Sequence, residues 1–216
     1  DFYNEAHVNE EAGKFVEAVY GYERLVTDFS RYYKTDSIRM KLKTLKKVPS
    51  YQNTVASNNK LAEEERALKT MFDNKFALEI RREKASPNVK WWSKRFEKLN
   101  KDFLKSDNRF KKSLGERISY SVYALGVETG QIHLRNKNFE KALYCHKILG
   151  ILLPENPFPL VLIAKDYAQI GNAELAISNL DLALQKGAKK DVLNATEFDA
   201  IRTIADFIRL VENDGS

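Results

Sequence analysis

A single cysteine, Cys145, stands in 216 residues, so no disulfide can close within the chain and no multi-cysteine metal site can be assembled. That economy suits a reducing compartment and a bacterial envelope equally. Glycine and proline are also sparse, at nine and five residues, which leaves long stretches free of the two residues that most often interrupt helices. No apolar run approaches the roughly 20 residues that cross a bilayer. Strand-like alternation of apolar and polar residues is rare, whereas apolar residues at three- and four-residue spacing are abundant. The sequence holds no dinucleotide-binding glycine motif, P-loop, GxSxG elbow or HExxH pair. Without them the reading is of a non-catalytic chain with no cofactor and no metal.

With 43% hydrophobic and 11% aromatic residues, the chain can bury a sizeable core. The expectation is one all-helical, elongated domain over residues 1–216. Its net charge of +6 is unevenly spread. Residues 1–30 hold two basic and seven acidic side chains, residues 31–115 hold 23 and 10, and residues 116–216 hold 11 and 13. Positive charge is therefore confined to the middle of the chain.

From Tyr120 to Ala188 the same helical hairpin is written twice. Ala142 and Ala176 lie 34 residues apart, and in the same register Gly130 matches Ala164, His133 matches Tyr167, Phe139 matches Ala173 and Leu149 matches Ala183. Small residues at Gly130, Ala142, Ala164 and Ala176 let two helix backbones approach, while His133, Tyr167, Ile177 and Leu180 fill the space beside them. Asn156 before Pro157 reads as a helix N-cap followed by proline at the first helical position. Gly171 and Gly187 read as helix stops, and Asn172 as the next N-cap.

These residues resemble the tetratricopeptide repeat family, with its small and aromatic positions in the first helix (Ala164, Tyr167), a small residue in the second (Ala142, Ala176), and Pro154 where a unit often closes. The resemblance implies an all-α array of antiparallel, TPR-like hairpins forming a right-handed superhelical solenoid, with long central helices and a C-terminal capping helix. Within it, residues 1–30 form a degenerate hairpin, 31–118 a basic long-helix region, 119–188 two repeat units and 189–216 the cap. The cap resembles the short closing element of many bacterial repeat proteins, with Phe198 followed by Arg202. Adjacent repeats cannot cover their own outer faces, so such a cap is needed.

Periodicity places the remaining elements. Gly13, Lys14 and Phe15 turn the first hairpin, with Ala6, Ala18, Tyr22 and Leu25 inside. Asp36 is placed as an N-cap before Ile38, Leu42 and Leu45. Val48-Pro49 ends that helix, and a long helix is expected over about 61–84, with Asn53–Lys60 as its frayed start or a loop. After Ser86-Pro87-Asn88, Trp92, Phe96, Leu99 and Phe103 form one stripe, with Lys94, Arg95, Lys98, Lys101 and Lys105 on the opposite side. Ser106-Asp107 is expected to cap a helix over 109–134. Thr196 and Glu197 start the last segment, with Phe198, Ile201, Ile204, Ile208 and Val211 as its apolar side, and residues 213–216 are expected to fray.

Few residues suggest chemistry. Cys145 and His146 are neighbours on a helix and point about 100° apart, so they cannot act as nucleophile and base. In the repeat register His133 and His146 replace aromatics that pack on each other, which reads as a packed, hydrogen-bonded pair, with a metal or pH-sensitive site as the alternative. Glu63-Glu64-Glu65 fans around a helix as a solvated face. Trp91-Trp92 reads as a core residue with its neighbour at the edge, surrounded by lysine stems. The alternative is an aromatic platform for bases or sugars.

The resemblance implies that first helices of successive repeats line a concave groove, which by register contains Glu128, Gln131, Arg135, Lys165 and Gln169. Arg135 and Lys165 would hold an acidic side chain or carboxylate of a protein or peptide partner, and exchanging both for Glu is expected to weaken binding while leaving the fold intact. Nucleic acid is the weaker expectation for a partner. The chain starts at Asp1 without an initiator methionine, which suggests a removed leader or preceding domain and an envelope or periplasmic setting, with the cytoplasm as the alternative. Two other functional classes stand beside the scaffold: an accessory module of a larger envelope enzyme or thioredoxin-like protein, and polyanion binding through the basic middle.

Overall fold

The computed structural model describes residues 2–31 and 35–212. Residues 213–216, expected to fray, lie outside the described residues. Among the described residues the chain is all-helical, with ten α-helices and no strand. No helix is long and apolar enough to cross a membrane. By its internal contacts the chain divides into two compact units, residues 1–64 and 65–216.

The first unit opens with α1 (Phe2–Glu11) and α2 (Phe15–Thr27), joined at Gly13, whose φ of 71° lies in the left-handed region that glycine enters without a Cβ penalty. Close packing needs a second glycine. A Cβ on Gly21 would stand 2.8 Å from the Ala6 Cβ, so only hydrogen at this position lets the two helices approach. Helix α3 (Thr35–Leu45) packs on α2, and Ala6, Ala18, Val19, Tyr22, Leu25, Ile38, Leu42 and Leu45 close one core. Asp36 lies inside the first turn of α3 and not at its cap. These helices complete a core of their own, which accounts for the division into units.

Helix α4 runs from Pro49 to Ile80, so the unit boundary falls within it. It begins a dozen residues before the apolar period does, because Pro49 suits the first helical position and no glycine or proline follows until residue 87. It stops at Ile80, short of the expected 84.

In the second unit, α5 (Val89–Leu99) is capped by Asn88, whose Oδ1 accepts from Trp91 N at 3.0 Å. It continues into a π-helical turn at Asn100–Leu104. Trp92, Phe96, Leu99 and Phe103 are all buried, as their spacing predicts. Helix α6 (Arg109–Arg135) is capped by Asn108, which accepts from both Phe110 N and Lys111 N. Ser106, expected as a cap, instead accepts from Asn108 N and braces the loop.

The repeat pair follows as α6 with α7 (Phe139–Leu152) and α8 (Pro157–Ile170) with α9 (Ala173–Gln185), each helix packed on the next. Asn156 and Asn172 make the predicted cap bonds, and Gly171 and Gly187 take φ of 86° and 91°. Ala142, Ala164 and Ala176 are fully buried. The tightest approach is between α6 and α7, where a Cβ on Gly130 would stand 2.6 Å from His146 Nε2.

The C-terminal segment forms two 3-10 turns (Lys190–Asn194, Thr196–Ile201) and α10 (Ala205–Glu212). Leu193, Phe198, Ile201 and Phe207 share a core with Ala164, Ala168, Ala176 and Leu180. Arg202 ties the turns together by donating to the carbonyls of Leu193 and Ala195. The break at Arg202–Ile204 resets the helical phase, so Phe207 turns inward while Ile208 and Val211 stay exposed, the reverse of the expected side.

Candidate functional site

The five residues read as a groove lie on two helices, three on α6 and two on α8. Glu128, Gln131 and Arg135 are exposed on α6, and Arg135 Nε donates to the Gln131 carbonyl at 3.4 Å. On α8, Lys165 Nζ donates to Glu197 Oε1 at 3.1 Å and Gln169 Nε2 to the Glu197 carbonyl at 3.4 Å. The 3-10 turn that carries Glu197 packs on α8. Lys165 and Gln169 therefore hold the C-terminal 3-10 turn. Replacing Lys165 with Glu would set two carboxylates against each other at that partly exposed contact.

His146 also departs from expectation. Its buried partner is Asp166 on α8, with Nδ1 to Oδ2 at 2.5 Å, and the two side chains are 1% and 0% exposed. Burial pushes the Asp166 carboxyl above its ordinary range, against the opposing pull of His146. His146 Nε2 and Asp166 Oδ1 are buried without a hydrogen-bond partner, as is His133 Nδ1. Burial, with help from Asp166, pushes the adjacent Cys145 thiol up to about 12, which leaves it inert as a nucleophile at neutral pH. These groups lie buried where α7 meets α6 and α8. Among the described residues, no group of three or more metal-ligating side chains assembles.

A second buried polar centre was invisible in the spacing. Glu79, fully buried near the end of α4, accepts from Trp92 Nε1 at 2.8 Å, Tyr144 Oη at 3.2 Å and Asn88 N at 3.2 Å, and pairs with Lys75 Nζ at 2.9 Å. Burial opposes its charge, but these donors outweigh it and hold the carboxyl below the ordinary glutamate range. Burial, with the neighbouring Glu79, drives the Tyr144 hydroxyl far upward. Trp92 is thus core. Trp91 sits half-buried edge-on to it, with Lys75 and Arg95 lying over its ring.

A cleft of about 750 Å³ opens between α5 with its π turn, α6 and the end of α7. Phe96, Leu99, Leu104, Tyr123, Ile151 and Leu152 give it an apolar lining. Ser93, Glu97 and Asn100 reach it from α5 and the π turn, and Glu116, Ser119, Tyr120 and Tyr123 from α6, each set following a helical face. The Ser119 hydroxyl is buried there without a partner. Glu97 and Glu116 are exposed, are the only charged side chains in the lining, and make no ion pair among the described residues. Tyr120 at the rim is 72% exposed. The sequence does hold a signal for this cleft: two carboxylates and two tyrosines on outward-facing positions beside the most basic helix. Only the docking of α5 on its neighbours brings them together.

Comparison with protein-family models, curated proteins and solved structures finds no match for this chain.

Proposed function

We propose that the chain is a non-catalytic, TPR-like helical scaffold that binds a protein or peptide partner. The observation carrying this reading is the cleft beside α6, which combines an apolar floor large enough for one or two side chains with unpaired polar groups at its edge. The resemblance of residues 120–188 to tetratricopeptide hairpins supports it, since stacked helical hairpins serve widely as rigid binding surfaces. The buried His146–Asp166 and Glu79 centres belong to the framework, as both are enclosed by packed helices. In this reading the partner inserts an apolar side chain into the cleft and offers a lysine or arginine to Glu97 and Glu116, where two unpaired carboxylates favour a cation.

The test is selection of peptides from a displayed random library on the intact chain, followed by titration against a variant with the cleft filled. Ser119→Trp should weaken the selected peptides at least tenfold with circular dichroism unchanged. Enriched sequences should pair a large apolar residue with Lys or Arg. Equal binding to parent and filled variant would exclude the cleft as the site.

A further inference from the structure

The positive charge is concentrated along α5 and the start of α6, on positions that include those three and four residues from Glu97. Residues 90–112 hold nine basic and three acidic side chains, a net +6 that equals the charge of the whole chain. Lys90, Lys94, Lys98, Lys101 and Lys105 recur at four-, four-, three- and four-residue spacing along α5 and its π turn, on the side away from buried Trp92, Phe96, Leu99 and Phe103. All five are exposed and none pairs with a carboxylate among the described residues. The row is about 22 Å long at helical rise. Past a short loop, Arg109, Lys111 and Lys112 follow in the first turn of α6, equally exposed and unpaired among the described residues. Among these three stands Phe110, its ring 58% exposed.

We propose that this face binds the surface of an anionic lipid bilayer, with the lysine row on the headgroups and Phe110 entering the interface. Cations beside a bilayer of negative headgroups gain attraction additively, and a single aromatic ring among them adds apolar contact at the depth where phenylalanine partitions. No span is needed, since the apolar side of α5 is committed to the core. A nucleic-acid partner fits less well. The one large aromatic on α5 outside the core, Trp91, is half-buried with Lys75 and Arg95 over its ring and Trp92 edge-on to it, so a base stacking there competes with contacts already made.

Sedimentation of the full chain with vesicles tests this, using phosphatidylcholine alone and phosphatidylcholine partly replaced by phosphatidylglycerol. Binding is expected on the mixed vesicles only and should fall away as salt shortens the screening length. K98E/K101E/K105E should lower partitioning about 100-fold, and the milder K98Q/K101Q/K105Q should lower it in the same direction. Phe110→Ser should lower it about tenfold at constant charge. K43E/K47E/K60E changes net charge equally at exposed positions elsewhere and should have little effect. An equal loss from that control would reduce the effect to overall charge and overturn the proposal. So would equal binding to neutral vesicles. Tighter binding of a duplex oligonucleotide that is indifferent to Phe110→Ser would assign the row to nucleic-acid phosphates instead.

Discussion

Glu79 takes a charge into the interior, and four donors make that tolerable. Remove the acceptor and the donors remain: the Trp92 indole N–H, the Asn88 amide, the Tyr144 hydroxyl and the Lys75 ammonium. Glu79→Leu should therefore cost about 3–5 kcal/mol in urea unfolding, the range for stripping one partner from a buried ionic network. Because the folded carboxyl titrates below its ordinary value of 4.5, its stabilisation is fully present above that value and is lost as pH falls through the lower folded value. Asp166 has the opposite sign. Its folded carboxyl titrates above 3.8, so the folded state keeps a proton that the unfolded chain releases, and stability drains away as pH rises through that window. Asp166→Asn keeps an oxygen for the His146 ring N–H and removes the charge. Unfolding measured across pH should show the variant at least as stable as the parent at neutral pH, with the gap closing in acid. A variant less stable at neutral pH would show that the ionised pair contributes more than its burial costs. Neither carboxylate was legible as structural in the sequence. Glu79 looks like one more polar residue four positions after Lys75, and Asp166 is a lone acid in an apolar helix. Their roles depend on Trp92, Tyr144 and His146, which only the folded chain delivers.

At the scale of elements, local signals worked where the backbone itself enforces them. Gly13, Gly171 and Gly187 each take the left-handed turn, and Asn156 and Asn172 each cap the helix that follows. The stripe on α5 was legible for the same reason, since four apolar residues at helical spacing have one way to be buried together. Errors arose where helical phase was interrupted. The break at Arg202–Ile204 rotates α10 so that Phe207 replaces Ile208 on the inner side. The start of α4 was misplaced because its first turns are polar, and helix continuation there rests on the lack of breakers and not on an apolar face. The closing segment has a direct test. Ending the chain at Ala188 removes Leu193, Phe198, Ile201 and Phe207 from the core they share with Ala164, Ala168, Ala176 and Leu180, and also removes Glu197 from Lys165. The shortened protein should self-associate in sedimentation velocity and melt at lower temperature. An unchanged monomer with the parent's melting temperature would show that the segment is not a cap.

At the scale of the whole molecule, the sequence by itself determined the helical class, the two hairpins of residues 120–188, and the concentration of positive charge in the middle of the chain. These follow from short-range causes: the absence of breakers, the spacing of apolar residues, and glycine and asparagine at turns. Tertiary structure decided everything that required two distant segments to meet. It separated residues 1–64 into a unit with its own core, tied Lys165 and Gln169 to the 3-10 turn at Glu197, and paired His146 with Asp166. It also set Glu97 and Glu116 at the edge of one apolar cleft and left the lysines of α5 on the side away from its buried stripe. The physical reason is that helical periodicity tells which face of an element is apolar but not which neighbour will cover it. That choice is made by side-chain shape and by the satisfaction of buried polar groups across contacts tens of residues apart.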